Sequence, residues 1–574
     1  MGKHGWLYAG LAALMSGLFI IAACGGSETS TLTPVKPTAT ATAPSATATK
    51  APLTATPSPA PTATPAAPQP KVGGTLRAEL IGPFTTMDVQ ANRGTQRGVT
   101  VPLMNYLLAP RANYFQGNTP GLYPDLALSW DTSTDGKTYT FKLTPDAKWH
   151  DGVLVTAQDV IFSFNRIASD PGIPAAPFRA TFKSVDKMEA PDPLTLRITL
   201  KQISASFLPQ LTAMNQAIYP EHAVQSILDM KPVGSGPFRF VSYDRDQKAV
   251  IERNPNYWKK DPQGRALPYL DRMELYILPN SATRIAAFRT GQVDLMDNVT
   301  QVSGTDFDQI KAAYSDTVSV PNRGGFLYWL FPNRAPYNDV RVRKAFSLAF
   351  DRQQWDTLMN EGMGNPFILD MNTDSAFEVP PTEVSTWPGY RQPKGTDIAD
   401  AKSLLQTAGF TQQLITVTVQ MYSDQAVAAA GILRANLGID TKFVQRDLAT
   451  FTQDQKNQNF EILYDSNAPA IDDPSAIFPG WYMSGGTNNW GKWSDPQLDQ
   501  QINALETTLD ATARLKVTQD IQRRINQELF WTVNHGSLFR RYLSRGYIRG
   551  WNPKYGAADV VQLRHETTWL EKTN

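Results

Sequence analysis

A single cysteine, Cys24, stands in 574 residues. No intrachain disulfide can form, so whatever folds must be held by a hydrophobic core. The stretch from Lys71 to Asn574 is about 500 residues, more than one core usually serves, and at least two domains are expected. The chain's composition suits that demand, with 41% hydrophobic, 19% charged and 10% aromatic residues. Its 54 basic side chains balance 53 acidic ones, so nothing points to nucleic acid or an anionic membrane surface as partner.

The cysteine also ends a recognisable segment. Met1-Gly-Lys-His is a short basic start, Trp6 to Ala23 is apolar without a charge, and Ile21-Ala22-Ala23-Cys24-Gly25 follows. A positive end, a short apolar middle and small residues before a cut site mark an export signal. The run Ile-Ala-Ala-Cys resembles the bacterial lipobox, which implies acylation of the Cys24 thiol and cleavage before it. An ordinary signal peptide with an incidental cysteine is the plainer alternative. The expected product is exported and lipid-anchored at the outer face of the cytoplasmic membrane, on the periplasmic or cell-wall side.

From Ser27 to Pro70 the sequence is almost wholly Thr, Ala and Pro, with no aromatic residue and only Glu28, Lys36 and Lys50 charged. Such a stretch cannot bury enough apolar surface to offset the entropy of ordering, and it reads as a disordered stalk. Proline-rich chain extends by about 3.1 Å per residue, so the stalk reaches on the order of 100 Å.

Beyond it, strand-like and helix-like patterns alternate. Thr138 to Leu143, Leu194 to Leu200 and Gln247 to Arg253 carry the two-residue alternation of half-buried strands. Asp397 to Gly409 has helical spacing between a capping aspartate and a terminal glycine. Gln425 to Leu437 and the long stretch Pro496 to Leu529 are further helices. The mixture predicts an α/β architecture.

A series of phrases then carries a resemblance. They are Leu122-Tyr-Pro-Asp-Leu-Ala-Leu-Ser-Trp-Asp131, Asp135-Gly-Lys-Thr-Tyr-Thr-Phe-Lys-Leu143, Ala147-Lys-Trp-His-Asp-Gly152 and Thr156-Ala-Gln-Asp-Val-Ile-Phe-Ser-Phe164. Gly234-Ser-Gly-Pro-Phe238, Arg253-Asn-Pro-Asn-Tyr-Trp258, Leu267-Pro-Tyr-Leu-Asp271 and Gly291-Gln-Val-Asp294 follow. Asn338-Asp-Val-Arg-Val-Arg-Lys-Ala345 with Asp351-Arg352 completes them. In this order they resemble the family 5 (cluster C) extracellular solute-binding proteins, the dipeptide, oligopeptide and nickel receptors of ABC importers. Most of these phrases have scaffold roles: Asp135-Gly136 and Asp151-Gly152 as turns, Thr156 as a helix cap and Asp339 at a helix start.

The resemblance implies a periplasmic-binding-protein-like type II fold, two lobes with a hinge plus an extra inserted domain. It divides the chain into a signal peptide (1–23), the stalk (24–70), lobe I (71–116, 216–319 and 531–574), an inserted domain II (117–215) and lobe III (320–530). It also implies a monomer that encloses a small polar solute, of peptide or oligosaccharide class, between its lobes and delivers it to an ABC permease. No cofactor, metal or catalysis is implied.

Peptide-binding relatives carry an aspartate four positions before the proline of an Asp-Pro pair, where it holds the ligand's amino group. Here Ala470 occupies that place before Pro474. A buried ammonium without its carboxylate is costly, which disfavours that mode of peptide binding. Asp472 and Asp473 lie nearby, and the rest of the neighbourhood is aromatic and amide-rich. The candidate ligand contacts are Thr85 and Thr86 after the first strand, Trp329 and Asn333 around a later one, Asp472, Trp481 and Tyr482, and Asn488, Asn489 and Trp490. The competing reading places many of these aromatics in the core.

A secreted hydrolase is one rival: paired acids exist, but there is no Gly-x-Ser-x-Gly elbow and no close histidine set. His150 and His535 read as structural histidines with hydrogen-bond partners. A ligand-sensing receptor without transport is the other rival, and it would share the fold.

Overall fold

The computed structural model describes residues 69–91, 94–111, 120–171, 173, 176–296, 302–373, 375–469, 471–551 and 563–572. Cys24, the apolar run, the stalk and Ala470 lie outside the described residues. The strands relevant to the site are β1 (Thr75–Leu80), β2 (Leu108–Arg111), β3 (Pro120–Pro124), β4 (Ala127–Thr132), β5 (Thr138–Leu143), β6 (Val185–Asp192), β7 (Thr195–Leu200) and β8 (Phe238–Tyr243). They continue with β9 (Lys248–Arg253), β10 (Arg272–Ile277), β11 (Leu295–Met296), β12 (Val318–Leu330), β13 (Leu414–Val419), β14 (Asp440–Gln445), β15 (Ile462–Asn467) and β16 (Thr532–Ser544).

Ten of these form one sheet in the order β14-β13-β15-β12-β16-β11-β1-β10-β9-β8. Two of its members, β12 and β16, are 13 residues each, about 40 Å at strand rise, and run antiparallel through the middle. Each end of the sheet has its own core. One gathers Leu327, Phe346, Ile432, Ile462 and Trp531; the other gathers Leu76, Leu103, Ile251 and Leu275. The β12–β16 ladder breaks between the two ends, with register shifts at Arg323/Phe326 and Leu327/Tyr328. Gly325 sits at the first break with φ +73°, and a Cβ there would approach the Asn467 carbonyl oxygen to 2.5 Å. Only glycine fits that crossing.

Strand direction determines what faces the middle. β16 enters the β11 end from the β15 end, and β1 and β10 run against it. β13 and β15 run parallel to each other and against β12. The chain therefore leaves β1, β10, β13, β14 and β15 toward the junction, where loops and helix starts from both ends meet. Ligand sites of α/β sheets form beyond the carboxyl ends of strands in this way.

A separate four-stranded antiparallel sheet has the order β4-β5-β7-β6. Alternation in β5 buries Tyr139, Phe141 and Leu143 and leaves Lys142 exposed. Helix Ala157–Ser169 covers the sheet with Val160, Phe164 and Ile167. The Asp159 carboxylate accepts both the amide and the hydroxyl of Thr156 at 2.9 Å, as the cap motif requires.

Two helices differ from the sequence expectation. The stretch from Pro496 breaks into Pro496–Thr507, Ala511–Arg524 and a π-turn Ile525–Leu529, because Asp510 starts a new helix by accepting the Ala513 amide at 2.8 Å. Asp397 is not a cap. Its helix begins at Gly395, and the carboxylate turns inward to Arg391, Lys394 and the Gly389 amide.

Distant pieces of chain are stitched at the β1 end by charge. Asp125, fully buried, accepts from Asn105 Nδ2 and Tyr106 N–H at 2.9 Å, Lys259 Nζ at 2.6 Å and Arg564 Nη1 at 2.5 Å. Glu566 takes the other side of Arg564 at 3.0 Å and the Tyr257 hydroxyl at 2.5 Å. Burial pushes the Asp125 carboxyl up, but Arg564 and Lys259 more than reverse it and hold it below the ordinary range.

Candidate ligand-binding site

At the junction a cavity of ≈ 580 Å³ opens between the two ends of the sheet. Helix Ser281–Thr290, which starts where β10 ends, lines it with Ser281, Ile285 and Arg289. The next helix, Gly304–Ala313, brings its start, Val302, Ser303 and Asp306. From the other end comes the C-terminus of helix Arg352–Asn360, with Met359, Asn360 and Glu361. Phe539, Arg540 and Arg541 of β16 also line it.

Glu361 ties the two sides together. It closes its helix in the left-handed region, at φ +55°. Its carboxylate accepts the Gly304 amide at 2.8 Å and an Arg541 Nη2 proton at 2.5 Å, and Arg541 Nη1 donates to the Val302 carbonyl at 2.9 Å. The Arg541 guanidinium holds the Glu361 carboxyl below its usual range. The wall opposite is mixed, with Ile285, Val302, Met359 and Phe539 presenting apolar surface. Apolar walls with a few polar groups describe a small-molecule cleft.

None of the ten ligand contacts expected from the sequence lines this cavity. Trp329 is buried in the core, edge-on to Phe350 at 5.2 Å and His535 at 4.4 Å. Tyr482 is buried too, donating to Asp370 Oδ1 at 2.6 Å. Asn489 is a loop staple: its Nδ2 donates to the Met483 and Trp493 carbonyls at 3.1 and 2.8 Å, and its Oδ1 accepts the Trp493 amide at 3.0 Å. Trp481 is half-buried against the edge of Tyr328, and Trp490 is half-buried against the same core. Asn488 is half-buried and donates its amide to Gly480 O at 2.8 Å. Asn333 is exposed, its amide bonded to Gly491 O at 2.9 Å.

Thr85 is exposed, and Thr86 accepts the Asp88 amide at 3.1 Å. This loop leaves β1 toward the junction and is anchored by Asp88, which binds Arg166 of the helix on the four-stranded sheet at 2.5 Å and the Tyr219 hydroxyl at 3.0 Å. Asp473 is committed to a two-pronged pair with Arg514, at 2.6 and 2.8 Å. Its neighbour Asp472 is half-buried, with Oδ1 lacking a partner among the described residues and burial pushing its carboxyl up to about 6.

The histidines separate. His150 Nδ1 accepts the Gly234 amide at 3.1 Å, and its Nε2 lies 3.2 Å from Gly236 O. His535 departs from expectation: it is buried among Trp329, Phe350, Trp355 and Tyr464, and neither ring nitrogen has a partner among the described residues. Burial in that aromatic cage drives its pKa well below the ordinary value.

Sequence reasoning missed the cleft residues because they carry no local signature. Glu361 and Arg541 meet across 180 positions, and the helix starts at 281 and 303 look like any other caps.

Comparison with known proteins supplies the context. The family described as bacterial extracellular solute-binding proteins, family 5 (middle), matches residues 121–489. The chain is 27% identical over 434 residues to the periplasmic oligopeptide-binding protein OppA of Escherichia coli K12, covering 70% of this chain and 75% of that protein. It is 27% identical over 492 residues to heme-binding protein A of Haemophilus influenzae, covering 77% and 85%. Among solved structures, the ABC transporter substrate-binding protein CtaP of Listeria monocytogenes superposes with a TM-score of 0.73 at 22% identity, over 88% of this chain and 100% of that one. DppA of Helicobacter pylori in complex with the peptide STSA does so with a TM-score of 0.69 at 22% identity, over 88% and 99%.

Proposed function

We propose that this chain, which belongs to the bacterial extracellular solute-binding proteins of family 5, is the lipid-anchored receptor of an ABC importer for peptide-like solutes. The observation that carries the reading is the cleft itself. It lies between two separately cored ends of one sheet, linked through the broken ladder of β12 and β16. Two bodies joined by a pair of strands can close around a ligand, and the ligand shifts the population toward closure in proportion to its differential affinity.

Peptide-like cargo is supported by the names of the relatives, OppA and the peptide-bound DppA among them. In this reading β12 and β16 are the borders between lobes I and III, residues 117–215 are the inserted domain, and Thr85, Thr86 and Asp472 are contacts at the rim of the closed cleft. Acylated Cys24 and the 24–70 stalk keep the receptor beside its permease and raise the effective concentration there.

Isothermal titration with short peptides and with oligosaccharides tests the cargo. Peptide binding with no response to sugars is expected, and the reverse result overturns the peptide reading. Mass spectrometry of the membrane-extracted protein tests the anchor: a diacylated N-terminal Cys24 is expected, and Cys24→Ser should leave the chain unacylated.

A further inference from the structure

We propose that His535 makes the cleft acid-sensitive: a proton taken up by its buried imidazole breaks the bulge of β16, loosens helix Arg352–Asn360 and disturbs the cavity that this helix lines. The inference goes beyond the receptor reading and does not depend on which solute the cleft holds.

Where Leu327 pairs with Gly536 and Tyr328 with Asn534, β12 and β16 shift register, and His535 is the extra residue of a β-bulge. Its side chain is fully buried. The imidazole stacks on Phe350 at 4.1 Å and meets Trp329 edge-on at 4.4 Å, with Tyr464 at 5.3 Å and Trp355 at 6.1 Å between ring centres. Hydrogen bonds tie down the chain on either side. Asn534 O accepts Arg352 Nε at 2.8 Å, Ser537 O accepts Asn360 Nδ2 at 3.0 Å, and the Ser537 amide donates to Asn365 O at 3.0 Å. The imidazole is the exception, since neither nitrogen has a partner among the described residues.

Phenylalanine or leucine would fill such a cage without stranding two polar atoms, so histidine costs stability there and adds only the ability to change charge. Its surroundings oppose that charge. From β12 comes Trp329, and from β15 Tyr464, whose phenol burial keeps neutral. From the helix comes Arg352, a like charge that acts on the imidazole. Asp351 and Asp397 favour the charge on Arg352, while Asp370 receives the Tyr482 hydroxyl and Asn526 Nδ2 at 2.6 Å each. Burial and then Arg352 hold the folded imidazole neutral well below the ordinary histidine value of about 6.5. Stability from this group is therefore full above about pH 6.5 and is lost as pH falls below it. Helix Arg352–Asn360 carries the effect to the cleft. Arg352 and Trp355 touch the bulge and its cage at the helix start, and Met359, Asn360 and Glu361 line the cavity at its end.

Hydrogen exchange tests this without a ligand, comparing wild type with His535→Phe at about pH 7.5 and about pH 5 after correction for intrinsic rates. Amides of helix Arg352–Asn360 report the helix. The Gly304 amide, held by Glu361 across the cavity, reports the cleft; the Glu361 carboxyl sits below its ordinary range and stays ionised at the lower pH. In the wild type both should lose protection by up to about 30-fold, the factor for one proton about 1.5 pH units below the free histidine value. His535→Phe should keep its protection, and His535→Leu replaces it should the phenylalanine variant fail to fold. Wild-type protection that is the same at both pH values overturns the proposal, as does an equal loss in the variant. Loss in the helix with Gly304 unchanged overturns it too, because the cleft is then undisturbed. An equal loss in β5 of the four-stranded sheet marks general acid unfolding and has the same consequence.

Discussion

Two aspartates, Asp125 buried at one end of the sheet and Asp465 half-buried at the other, are shifted in opposite directions. At the β1 end Asp125 meets Lys259 and Arg564, and its carboxyl is held down. At the β15 end Asp465 has Gln455 Nε2 at 2.8 Å and the Ser466 amide at 2.8 Å but no cation among the described residues, and burial pushes its carboxyl up to about 7. The contrast follows from chain connectivity. The β1 end is assembled from segments around 105–125, 257–259 and 564–566, and fixed ionic geometry joins pieces that no short loop holds together. The β15 end is built largely from continuous chain between β12 and β16, with Phe346, Ile432, Leu463 and Trp531 closely packed and its buried ion pairs, such as Asp473–Arg514, placed away from Asp465.

The sharpest way to break this comparison is Arg564→Met, a replacement of similar length without charge. It leaves Asp125 and Glu566 buried with only Lys259 nearby, and about 3–5 kcal/mol of stability should be lost in chemical denaturation. A loss below about 1 kcal/mol would mean that packing, and not the ion network, holds that end together.

Next in size is a pH effect. The folded Asp465 keeps a proton that an unfolded aspartate, of pKa about 3.9, has already released. Stability from this group is therefore full below about pH 4 and falls as pH rises to about 7. The change should be up to about 4 kcal/mol, and Asp465→Asn should flatten it in denaturation curves taken from pH 4 to 8. Asp125 acts with the opposite sign: its contribution is present at neutral pH and is lost as pH falls through its lowered pKa.

A milder test probes the packed end. Leu433, fully buried on helix Ser423–Leu437, should tolerate replacement by Met with a loss under about 1.5 kcal/mol, because volume and helix propensity are kept. The smallest effect is expected at the junction. Glu361→Gln loses a pair whose carboxylate is 48% exposed, and the thermal midpoint should move by the equivalent of under about 1 kcal/mol. A larger fall would place the tie between Glu361, Gly304 and Arg541 among the contacts that hold the two ends together.

Much of the scaffold was legible because its signals are local. The turn at Asp135-Gly136 has its glycine at φ +71°, and Thr156 caps its helix as its spacing with Asp159 requires. Gly234 and Gly236 sit in a phrase that reads as a turn, and packing explains them further. A Cβ on Gly234 would stand 1.8 Å from Leu103 O, and one on Gly236 2.5 Å from Pro102 O. The aromatic and amide run 481–493 is continuous in sequence but divided in the fold. Trp493 donates to Phe331 O at 2.8 Å and stacks on Trp531 at 5.7 Å, while Trp481, Asn488 and Trp490 are half-buried. An aromatic residue in sequence carries no mark of which side of a strand it will cover.

Sequence alone determined the family, the α/β class, the strand and cap positions, and an expectation of export through the segment ending at Cys24. These rest on short-range spacing and on the order of motifs along the chain. Tertiary structure decided which residues face the cleft and which charges there are already spent. Arg541 and Glu361 read in the sequence as ordinary surface charges. Only the fold pairs Glu361 with Arg541, because pairing depends on which distant segments the two long strands bring together.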